Sequence, residues 1–113
     1  MSHDVVALCA RQPDAGTTLA ALQACGPELR VAAVERGSLV QLCAEDGRPL
    51  VTVEGARLVQ VPGEVQRLLG VADAPHPTWW VEARAVDAGA AAIARRFAAA
   101  LLSQTGGVSW ASR

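Results

Sequence analysis

Ser38-Leu39-Val40-Gln41-Leu42-Cys43-Ala44-Glu45-Asp46-Gly47-Arg48-Pro49-Leu50-Val51-Thr52-Val53-Glu54 is the stretch that decides the fold. Asp46-Gly47 lies between two apolar runs, and Asp-Gly is a strong short-range hairpin signal because the turn needs a positive φ that glycine supplies without steric cost. Downstream, Leu50, Thr52 and Glu54 alternate with Val51 and Val53, the period-two pattern of a strand with one buried face. The stretch therefore predicts two antiparallel strands, 38–44 and 49–54, joined by a tight turn.

The same meander extends outward on both sides. Upstream, Arg30 to Glu35 reads as a strand that turns at Arg36-Gly37; downstream, Glu54-Gly55 turns into a short strand from Arg57 to Val61. Nearer the N-terminus, Val5 to Ala10 suits a buried strand. A loop follows through Gly16, then a helix capped by Thr17 or Thr18, with Leu19, Leu22 and Cys25 facing inward and Gly26-Pro27 ending it. Beyond the meander, Pro62 suits the first position of a helix whose apolar face is Val65, Leu68 and Leu69, closed by Gly70. Thr78 to Val86 is a strand. Asp87 caps a last helix from Ala88 to about Gln104, with Ile93, Phe97 and Leu101 as its core stripe. Gly106-Gly107 stops it, and Val108 to Trp110 returns to the sheet or covers it. The order β-α-β-β-β-(β)-α-β-α predicts an α+β fold, with one mostly antiparallel sheet and helices packed on one face. A chain of 113 residues fits a single α+β domain over 1–113.

Composition narrows the function. Half of the residues are apolar and 19% are charged, which excludes disorder. All ten basic residues are Arg, and Asn, Lys and Tyr are absent, a codon bias that points to a GC-rich bacterial genome. The net charge is −1, with acids and bases interspersed, so the clustered basic footprint of a nucleic-acid binder is missing. No apolar run has the length of a signal peptide or spanning helix, and the expected compartment is the cytoplasm. Cys9, Cys25 and Cys43 are odd in number and lack Cys-x-x-Cys spacing, so they read as small buried hydrophobes rather than as a disulfide framework. His3 and His76 have no paired ligand spacing around them, so no metal site is expected.

No motif carries chemistry. Asp14-Ala15-Gly16-Thr17-Thr18 looks like a phosphate loop, but a Walker A site needs a Lys and the chain has none; a helix N-terminus with free N–H groups remains there. Glu45-Asp46 fits a turn better than paired acid–base work, and Ser38, Ser103 and Ser109 lie in no nucleophile elbow. No catalytic residue and no cofactor are expected. The stretch with most to say is Trp79-Trp80-Val81-Glu82-Ala83-Arg84. Strand alternation sets Trp79, Val81 and Ala83 on one face and Trp80, Glu82 and Arg84 on the other. Trp80, Glu82 and Arg84 are the candidate binding surface, where a partner would stack on the indole; the competing reading is a Trp covered by a helix or the C-terminal segment, with Glu82 and Arg84 as charge partners.

Leu58-Val59-Gln60-Val61-Pro62-Gly63-Glu64 with Leu68-Leu69, Trp79-Trp80-x-Glu82-x-Arg84 and Gly106-Gly107-x-x-Trp110 together resemble a group of small uncharacterised proteins of high-GC actinobacteria, over the C-terminal half of the chain. The resemblance implies a bacterial source and transfers no active site. The order of elements is also similar to secretion-chaperone-like folds, an analogy of order alone.

The last helix is apolar nearly all round, with Ala91, Ala92, Ala98, Ala99 and Leu102 beside its stripe; such a helix is buried on two sides or pairs with another chain. The expected function is a non-enzymatic protein-interaction module, adaptor- or chaperone-like, forming a homodimer through that helix or a sheet edge. The partner is a protein or a second copy, not nucleic acid or membrane. The alternative is a small-molecule pocket or weak enzyme between the sheet and the C-terminal helix, using Arg84, Glu82 and His76.

Overall fold

A computed structural model describes residues 3–112 of the chain. Its elements in order are β1 (His3–Cys9), α1 (Ala15–Gln23), β2 (Arg30–Val34), β3 (Leu39–Cys43), β4 (Pro49–Glu54), β5 (Arg57–Val59), α2 (Glu64–Leu69), β6 (Thr78–Ala85), α3 (Ala88–Thr105) and β7 (Gly107–Ala111). The seven strands form one antiparallel sheet in the order β2-β3-β4-β6-β1-β7, with β5 also pairing β6. The α+β class and the antiparallel sheet are as the sequence predicts.

The hairpin at Asp46-Gly47 forms as expected. Gly47 takes φ 87°, and Asp46 Oδ1 accepts from Arg48 N at 3.0 Å. At the other end of β3, a single 3₁₀ turn at Glu35–Gly37 joins it to β2, with Glu35 and Arg36 both at positive φ. The turn expected at Glu54-Gly55 is instead a break in one strand line. Val53 stands opposite Ala83 and Arg57 opposite Trp80, so the β4–β5 side carries one residue more than β6, as a bulge does. C-terminal residues 108–110 return to the sheet as part of β7, an edge strand beside β1. Gly107 permits that return, because a Cβ on it would stand 1.9 Å from the Leu8 carbonyl oxygen and its φ is +121°.

One face of the sheet carries the main core. Val5, Ala7 and Cys9 of β1, Val51 and Val53 of β4, and Val81 and Ala83 of β6 pack against Ala94, Phe97, Ala98 and Leu101 of α3 and against Ala21 and Leu22 of α1. The packing of α2 departs from the expected one-sided arrangement. Its Val65 lies on the opposite face with Val6, Leu8 and Trp80. The cause is the parity of β6, whose two faces both carry a large apolar side chain. Trp80, flanked by Leu8 and by the half-buried Val59, needs its own cover, and the short β5–α2 connection delivers it. No helix among the described residues is long and apolar enough to cross a membrane.

Candidate functional site

Strand β6 does set Trp80, Glu82 and Arg84 on one face, yet they do not form one open surface. Trp80 is only 6% exposed, packed under Val65, with the Arg57 guanidinium 5.5 Å from its ring centroid. Its indole offers no face for a partner to stack on, and its Nε1 has no hydrogen-bond acceptor among the described residues. Glu82 and Arg84 lie beyond the reach of α2 and pair with each other at 3.0 Å. The hydrogen bond and charge of Glu82, with the charges of Glu54 and Asp4, push the Arg84 guanidinium further toward its charged form. Its cross-strand neighbours are Asp4 and Thr52, and Gln41 Nε2 donates to Thr52 Oγ1 at 3.4 Å. This half of the face is a polar row in which Glu82 pairs with Arg84 and Gln41 with Thr52.

Helix α3 is buried on two sides. Ala90, Ala91, Ala94 and Ala98 are buried with Phe97 and Leu101, so small side chains let the helix sit close to the sheet and to α1. Its outward side carries Arg95, Arg96, Ser103 and Gln104. The space between the sheet and α3, where a ligand pocket would have to lie, is occupied by these core side chains. The clefts lie beside the two shorter helices instead.

The open apolar surface is at α1. Between Asp14 and Glu28 the sequence has no charged residue, although Ala15, Gly16, Leu19, Ala20 and Gln23 are exposed. Asp14, rather than Thr17 or Thr18, is the N-cap: its Oδ1 accepts from Thr17 N at 2.7 Å. That bond holds the Asp14 carboxyl below its ordinary range. The carboxylate thus takes the place an anion would need at this helix end. Leu22 and Cys25 face inward as expected, but Leu19 is 45% exposed. The reason is that α1 leans on α3, with Cys25 Sγ 3.8 Å from the Ile93 carbonyl, and leaves β2 at the edge of the sheet partly uncovered.

A trough of two adjoining clefts, about 350 and 490 Å³, therefore runs between α1 and the edge of the sheet. Leu19, Leu22 and Val31 line both. Val40 and Val53 floor one end, and Leu29 and Pro27 close the other. Val31, 42% exposed, belongs to β2, whose outer edge has no strand beside it among the described residues. Leu19 is a residue the sequence pattern turns inward, and Val31 is one to which the pattern gives no role. The usable signal was an amphipathic-length helix with no charge on any face.

No protein-family model matches the chain, and no curated protein or solved structure is significantly similar to it. Function is therefore read from the chain's own surfaces.

The remaining candidate groups lie away from the trough. Cys9, Cys25 and Cys43 are buried free thiols, and burial pushes the Cys9 and Cys25 thiols up, away from the reactive thiolate. His76 lines a separate cleft of about 170 Å³ beside α2, together with Val61, Pro62 and Thr78. Among the described residues, no three His, Cys, Asp or Glu side chains gather as metal ligands.

Proposed function

We propose that the chain is a non-enzymatic protein-interaction module whose docking surface is the trough between α1 and β2, together with the open edge of β2. The observation that carries this reading is the pair Leu19 and Val31, large apolar side chains left nearly half exposed on the walls of one trough whose lining carries charge only at Asp14 and Glu54, both in the same cleft. An exposed apolar groove beside a free strand edge is the arrangement that receives a partner's strand or helix: main-chain hydrogen bonds supply affinity and the groove takes side chains. The polar row around Arg84 and the covered Trp80 favour this surface over the face first singled out on β6.

Affinity capture from source-cell lysate tests it, with the wild-type chain run beside a Leu19→Ser/Val31→Asp variant of matched circular dichroism. Proteins retained by the wild type and lost from the variant are the expected result. Identical retention by both chains overturns the reading.

A further inference from the structure

We draw no further inference here: the strongest candidate, the apolar trough between α1 and the free edge of β2, carries nothing beyond the docking reading above, because nothing in the structure shows what covers it.

Discussion

Helices α1 and α3 lie on the same face of the sheet and are both rich in small apolar residues, yet they end in opposite situations. Helix α3 lies across β1, β6 and β4 and seals them with Phe97 and Leu101, while Arg95 and Arg96 keep its outer side wet. Helix α1 rests on α3, buries Ala21 and Leu22, and presents an outward side with no charge at all. The composition of a helix therefore does not reveal whether it is an interface. An alanine-rich helix can be the most enclosed element, because small side chains allow close approach. A helix that lacks a charged side is the one left unfinished.

Substitutions on the two helices sharpen that contrast. The largest effect belongs to the sealed side: Phe97→Ala should cost about 3–5 kcal/mol in a guanidinium unfolding series, the range for emptying a core aromatic site. Next comes a pair within one helix. Leu22→Ala should cost about 2–5 kcal/mol, whereas Leu19→Ala, three residues away on the trough wall, should stay within about 0.5 kcal/mol in the same assay under monomeric conditions. Equal losses at 19 and 22 would break the comparison outright. Smaller still is the cap of α3, where Asp87 Oδ1 accepts from Ala90 N at 2.8 Å; Asp87→Ala should cost about 1 kcal/mol by thermal melting.

The smallest effect is a pH dependence at α1. The hydrogen bond from Thr17 N holds the Asp14 carboxyl low, so its cap contributes above the unfolded-state value of about 4 and fades as pH falls through the folded one. The melting difference between wild type and Asp14→Ala should therefore narrow on acidification from pH 6 to below 4. A gap that widened instead would mean the carboxylate is not the capping species.

What could be read from the sequence depended on whether the deciding contact was local. Asp46-Gly47, the alternation through Val51 and Val53, and the Asp87 cap are set within a few residues, and each forms where its pattern places it. The cap of α1 was misassigned because Asp14, Thr17 and Thr18 all offer an oxygen within one turn, and only the backbone's actual entry selects Asp14. Pro62 does not begin α2; Gly63 caps it and the helix starts at Glu64. Which face of β6 is covered, and by what, is tertiary information. Alternation separates Trp79 from Trp80, but the short β5–α2 connection decides that Trp80 is the one enclosed. Leu19 fits an inward helical position, and it is exposed because α1 was displaced sideways by α3.

The cover over Trp80 has a consequence in time rather than in space. Helix α2 is six residues long, well short of what holds a helix on its own, and Val65 is its one buried side chain. Beneath it sits an indole whose N–H gains no partner by being enclosed. Little free energy then separates the closed state from one in which α2 lifts while the sheet and α3 stay folded, so the amides of 64–70 should exchange with solvent through brief local openings. Those of β1, β6 and α3 should exchange only when the whole domain unfolds.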